Sequence, residues 1–311
     1  MRIVFFGSPE AALPSFAALL EAGHDVVLTV TQPDRPAGRG KKLAGSAVKA
    51  FAIGRGIPVI QPERIRHDPA ALESIRAAAA DIHVVVAFGQ IIPSSIIDLP
   101  PWRSVNVHFS LLPKYRGAAP VQWAILRGET RMGVTIFRLN EKMDEGDILT
   151  TSETEIFPAE SAGELEARLA GIGADLLKNT LERIASIPLV PQDHSAATLA
   201  PKLTKDQGRV DWAAPGIEIE RKVRAFTPRP GAFTFRQGVR LNLLKGRLAE
   251  APAPAAAAPG TIFAVSGAGI DLVCGGGSVY RILELQPESR KAMEARAYAA
   301  GGRVMVGEIL G

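Results

Sequence analysis

With 311 residues, 47% of them hydrophobic and 22% charged, the chain is long enough for two domains with separate cores and has the composition of an ordinary soluble globular protein. Its single cysteine, Cys274, excludes an internal disulfide and a cysteine-rich zinc site, reads as a small buried hydrophobe, and points to a reducing compartment. The apolar opening at 2–6 stops at Gly7-Ser8-Pro9-Glu10, far short of a signal-peptide core or a membrane span, so a cytoplasmic protein without a membrane partner is expected.

In chain order, apolar runs at 2–6, 25–31, 81–88, 104–108 and 133–139 read as strands. Amphipathic segments at 11–22, 46–54, 69–79, 119–126 and 161–186 read as helices. This alternation predicts a mostly parallel sheet covered by helices, an α/β, Rossmann-like domain over 1–190. The last helix carries Leu165, Leu169, Ile172, Leu176, Leu177, Leu181 and Ile184 near a 3.6-residue period, so it is expected to pack across the sheet. Residues 191–205 are polar and lack a period, which reads as a linker. Beyond it, a short helix at 217–225 and strands at 232–235, 239–245, 261–265, 269–273 and 279–285 predict a smaller antiparallel β-barrel (OB-like) over 206–311. The Ala/Pro run at 251–258 reads as a surface loop of that barrel.

The net charge of +4 is unevenly spread. Residues 201–311 hold 16 Lys/Arg against 10 Asp/Glu, which leaves 20 against 22 for residues 1–200. Two stretches contain no acid at all. One spans 221–249, with Arg221, Lys222, Arg224, Arg229, Arg236, Arg240, Lys245 and Arg247; the other spans 35–62, with Arg35, Arg39, Lys41, Lys42, Lys49 and Arg55. Patches of one sign attract polyanions, and phosphate backbones are the commonest of these.

Gly7-Ser8-Pro9-Glu10 follows the first strand but matches neither a dinucleotide fingerprint nor a P-loop. The stronger constellation is Asn106 and His108 with Asp144. Residues two apart on a strand share a face, so an amide donor and a titratable imidazole stand side by side. The turn Met143-Asp144-Glu145-Gly146-Asp147 follows the 133–139 strand and would bring a carboxylate to His108. An Asp that accepts a hydrogen bond from imidazole raises its pKa and orients it, while an amide can stabilise an oxyanion, together suiting attack of an amine on a carbonyl carbon. No Ser or Cys occupies a nucleophile elbow, which favours direct transfer between two bound substrates, and no two histidines have metal-ligand spacing.

These residues match a known family. Asn106-x-His108, the following Ser110-Leu111-Leu112-Pro113, and Asp144-x-Gly146 are shared by the folate-dependent formyltransferases. The chain also carries Gln32-Pro-Asp-Arg-Pro-Ala-Gly-Arg-Gly-Lys-Lys42, Arg116-Gly-Ala-Ala-Pro120, Lys202-Leu-Thr-Lys205 with Val210-Asp-Trp212, Arg224-Ala-Phe226, and Leu285-Gln-Pro-Glu288 with Lys291-Ala-Met293. In these it resembles the methionyl-tRNA formyltransferase branch of that family. The resemblance implies 10-formyltetrahydrofolate as formyl-donor co-substrate, initiator methionyl-tRNA as acceptor, no metal, and a monomer. It implies catalytic roles for Asn106, His108 and Asp144, and a folate site lined by Ser110, Leu111, Leu112, Pro113, Phe88, Ile92 and Leu139. Arg35, Arg39, Lys41, Lys42, Lys205 and Arg224 would contact tRNA. Phe109 stands where the family usually has glycine, and its ring is expected to turn away from the catalytic face. A formyltransferase or formyl-folate hydrolase on a small substrate would not need the basic loop at 35–42 or a basic second domain; a noncatalytic tRNA-binding module would not need all three catalytic residues.

Overall fold

The computed structural model describes residues 1–37, 42–250, 252–254 and 256–311. They form two units, one of Met1–Pro120, Arg131–Glu155 and Glu166–Pro201, the other of Val121–Thr130, Ile156–Leu165 and Lys202–Gly311. No helix among the described residues is long and apolar enough to cross a membrane, and no cluster of His, Cys, Asp or Glu among them could hold a metal ion.

The first unit is built on a seven-stranded sheet. Its strands, helices and one separate hairpin run β1 (Arg2–Gly7), α1 (Leu13–Glu21), β2 (Asp25–Val30), β3 (Arg35–Ala37), β4 (Lys42–Ala44), α2 (Ala47–Ile53), β5 (Val59–Ile60), α3 (Pro69–Ala77), β6 (Ile82–Val86), α4 (Ser94–Ile97) and β7 (Ser104–His108). Then come α5 (Pro120–Leu126), β8 (Arg131–Arg138), β9 (Ile148–Glu155) and α6 (Ala162–Glu182); α5 and α6 each contribute residues to both units. Strand order is β5-β2-β1-β6-β7-β8-β9, with β3 and β4 paired apart. The five strands from β5 to β7 are parallel, and β8 and β9 are added antiparallel.

β1 is buried at every position after Arg2, and β6 at every position, because helices cover both faces of these strands; hence their continuous apolar runs. Helix starts are specified locally: Ser46 caps α2 by accepting from Lys49 N at 3.0 Å, and Asp68 caps α3 by accepting from Ala71 N at 2.9 Å, with Pro69 at its first position. The chain leaves β1 for β2 on one side of it and returns to β6 on the other. The resulting crevice at the carboxyl ends of the strands is where open α/β sheets place their sites.

Two strands of the seven-stranded sheet escape the sequence reading. β5 has two residues, and β9 (Ile-Leu-Thr-Thr-Ser-Glu-Thr-Glu) buries only Leu149 as an edge strand, so it lacks the apolar alternation of a half-buried strand. The assignment of 191–205 as linker also differs from what the structure holds. Residues up to Pro201 pack into the first unit: Tyr115 N donates to Thr198 Oγ1, and Ala119 N to Ala200 O.

In the second unit, α7 (Gly216–Phe226) precedes β10 (Ala232–Arg236), β11 (Val239–Leu248), β12 (Ile262–Ser266), β13 (Gly269–Val273), β14 (Val279–Pro287), β15 (Met293–Glu294) and α8 (Ala295–Gly302). The antiparallel order is β10-β11-β14-β13-β12, with β15 on β14. Residues 307–311 close it. Gly307 N donates to Ile262 O, Ile262 N to Glu308 O and Leu310 N to Gly260 O on the β12 side, while Gly311 N donates to Phe235 O of β10. Both sheet edges therefore lie against one short segment, and the bidentate ion pair of Arg236 with Glu308 locks it in place.

Candidate active site

Strand β7 carries Asn106 and His108 on one face, with Val105, Val107 and Phe109 on the other. Phe109 is buried on the side of α6, whose Gly173 comes so close that a Cβ there would lie 2.9 Å from Val107 and 3.7 Å from the Phe109 ring. The ring thus points away from the face that carries Asn106 and His108. Asn106 is half-buried, and its carboxamide has no hydrogen-bond partner among the described residues. A polar group held this way is open to a hydrogen bond with a ligand.

His108 is buried between two neighbours. Its Nε2 lies 3.0 Å from Tyr115 O, and its Nδ1 lies 3.8 Å from Asp144 Oδ2. A carbonyl only accepts, so Nε2 is the protonated donor, and the exchangeable proton of the ring is the one at Nδ1, facing Asp144. The expected hydrogen bond from His108 to Asp144 is replaced here by a longer charge-to-ring contact. Asp144 Oδ2 instead accepts from Gly117 N at 2.8 Å. Tyr115 has a left-handed backbone, φ +61°, at a cost of about 1 kcal/mol or more, where it presents its carbonyl to the imidazole.

The turn after β8 is equally constrained. Asp144 is left-handed at φ +55°, and a Cβ on Gly146 would overlap the Arg138 carbonyl, so glycine is required two residues after the aspartate. Gly117, at φ +125°, would bring a Cβ to 2.7 Å from the Ala200 carbonyl oxygen, so glycine is also needed where the amide reaches Asp144.

Sequence reasoning missed the framework behind this turn. Buried Arg116 donates from Nε and Nη2 to Gln192 Oε1, and its Nη1 lies 3.6 Å from Glu145 Oε1. Gln192 Nε2 donates to the carbonyls of Asp144 and Gly146. Arg116 adjoins the Ser-Leu-Leu-Pro run, but nothing in the polar segment containing Gln192 marks it out.

The residues read as folate contacts divide in two. Phe88 and Ile92 are buried in one core cluster with Val85, and Leu139 packs against it, so these three do come together. Ser110 is fully buried and spends its hydroxyl on Lys114 O, while Thr135 donates to Ser110 O and accepts from Leu112 N. Ser110 therefore shapes the loop with its own hydrogen bonds. Leu112 is buried, Leu111 and Pro113 are partly exposed, and Leu111 packs on Gly133.

Of the residues read as tRNA contacts, Arg39 and Lys41 lie outside the described residues, and Lys42 begins β4. Arg35 is on the surface, paired with Glu63 at 2.7 Å; Lys205 is exposed. The guanidinium of Arg224 is bidentate to Glu220, one helical turn earlier on α7, and also donates to Glu160 O. It holds its own unit together.

An unpartnered amide and an imidazole faced by a carboxylate, at the carboxyl edge of a doubly wound sheet, are groups suited to stabilising charge on a carbonyl oxygen and moving a proton, as a group transferase requires. The comparisons agree with that class. Residues 1–181 match the formyl transferase family model, and residues 202–303 match the formyl transferase C-terminal domain. The methionyl-tRNA formyltransferase of Solibacter usitatus is 47% identical over 100% of this chain and 99% of its own length; that of Myxococcus xanthus is 44% identical over 98% and 96%. The solved structure of HypX from Aquifex aeolicus in complex with tetrahydrofolic acid shares the fold with TM-score 0.63 at 17% identity, over 99% of this chain and 48% of that one. The chain belongs to the formyl transferase family.

Proposed function

We propose that this enzyme transfers the formyl group of 10-formyltetrahydrofolate to the α-amino group of initiator methionyl-tRNA, acting in the cytoplasm as a monomer. The amine attacks the formyl carbon, the C–N bond to the folate breaks, and the proton lost by the amine ends on the folate nitrogen. Asn106 donates to the formyl oxygen as it gains charge; one such donor is worth about 3 kcal/mol in other acyl-transfer sites. His108 carries the moving proton at Nδ1, and Asp144 stabilises the imidazolium formed on the way. Leu111, Pro113, and the cluster of Phe88, Ile92 and Leu139 would flank the folate, and Arg35, Arg39, Lys41, Lys42 and Lys205 would meet tRNA phosphates.

The observation that carries this reading is the free carboxamide of Asn106 beside His108 and Asp144, in a chain whose full-length relatives bear the tRNA-formylating name. The test is formyl transfer from the folate donor to charged initiator tRNA, run against glycinamide ribonucleotide, an amino sugar and water. Turnover only with the small acceptors, or none with methionyl-tRNA, would overturn it.

A further inference from the structure

Gln192 lies 46 residues beyond Gly146, in a segment without apolar pattern, yet it is 6% exposed and its hydrogen bonds tie the turn carrying Asp144 to buried Arg116. Its Oε1 accepts from Arg116 Nε at 3.1 Å and Nη2 at 2.7 Å; its Nε2 donates to Asp144 O at 3.0 Å and Gly146 O at 2.7 Å. Only one orientation of the amide works, because turning it over would set NH₂ against a guanidinium and an oxygen against two carbonyls. The residue it grips has a constrained backbone. Asp144 is left-handed, and its carboxylate reaches Gly117 N and the His108 ring only while that backbone is kept in place.

Arg116 is the nearest buried cation, and the amide stands between it and the Asp144 main chain. A neutral relay transmits the arginine's rigidity without pairing its charge with the catalytic carboxylate. We propose that Gln192 is a positioning residue for formyl transfer, anchored by Arg116 and holding the backbone of Asp144 so that its carboxylate stays opposite His108. This rests on the assignment of Asp144 as the partner of His108.

The experiment uses the full chain with Gln192→Glu and Gln192→Met, each made in the native background and with Asp144→Asn. Readouts are kcat, KM for folate donor and for tRNA, and thermal unfolding. Gln192→Glu keeps the acceptor for Arg116 but turns an oxygen on two carbonyls. In the native background kcat is expected to fall by about 10²-fold, the loss typical of a small misplacement at a reacting centre. Both KM values should stay within about threefold. With Asp144→Asn the same substitution should cost less than about threefold, since the group it positions is already disabled. An unchanged kcat, an equal loss in both backgrounds, or unfolding of both Gln192 variants would overturn the proposal and leave a structural staple. Absence of transfer to methionyl-tRNA by the native enzyme would instead overturn the functional reading.

Discussion

Two arginines, one in each unit, secure a segment in opposite ways. In the second unit Arg236 grips Glu308 directly through two charge-assisted hydrogen bonds and so fixes the segment that closes the sheet. In the first unit Arg116 meets its segment through the neutral amide of Gln192, with Glu145 at the longer distance of 3.6 Å. A structural seam gains from the strongest ion pair available. With Asp144 as the proposed partner of His108, its turn does not, because a direct pair with Asp144 would draw its charge away from His108.

The largest effect expected on the catalytic side of this comparison is from His108→Ala, which should cut turnover by roughly 10³-fold, within the range for a lost general acid or base. Binding of tRNA, measured by filter retention, should be nearly intact; a comparable loss of binding would assign His108 a structural role. Gly146→Ala should come next. The new methyl meets the Arg138 carbonyl, so a loss on the order of 3 kcal/mol in unfolding free energy, with activity falling alongside, is expected from calorimetry and assay.

On the seam side, Glu308→Gln should lower stability by only about 1 kcal/mol, given partial solvent screening of the pair, and leave kcat untouched. Arg236 holds the Glu308 carboxyl below its usual range, so this contribution is present at neutral pH and is lost as pH falls through the carboxylate range; the variant should show a flatter acid limb.

A separate acid-sensitive term sits in the first core. Burial pushes His83 down to about 4 from an ordinary 6.5, and its Nδ1 faces the Ser104 hydroxyl, which itself donates to Ile97 O. Below pH 6.5 the unfolded chain binds a proton that the fold refuses, so stability should decline from pH 6.5 toward 4; in His83→Leu that slope should vanish from urea midpoints. The smallest effect is expected from Arg224→Gln: a modest drop in melting temperature with tRNA affinity unchanged. A marked salt-dependent loss of tRNA binding would place Arg224 on the nucleic-acid surface.

Sequence shows what is local and hides what is not. Strands buried on both faces, amphipathic helices, and the pairing of Asn106 with His108 by strand alternation were all legible, because each depends on neighbours one to four residues away. The acidic turn at 143–147 was legible as a turn, and Asp144 does lie beside His108, but the 3.8 Å spacing and the diversion of its oxygen to Gly117 N depend on a contact across 27 residues. Gln192 and Thr198 looked like linker for the same reason. The acid-free stretches misled in an instructive way. Asp34 and Glu63, just outside one of them, pair with Lys49 and Arg35, while Glu220 and Glu308 pair with Arg224 and Arg236 of the other. A run without acids is therefore not a surface without them.

The segment at 307–311 also sets an order of events. It follows every other strand of its unit along the chain, so during synthesis β10 and β12 keep open edges, able to pair with other chains, until residues 307–311 emerge. The second unit is thus completed only after residues 307–311 have left the ribosome, and deleting that segment would leave both edges open to pairing.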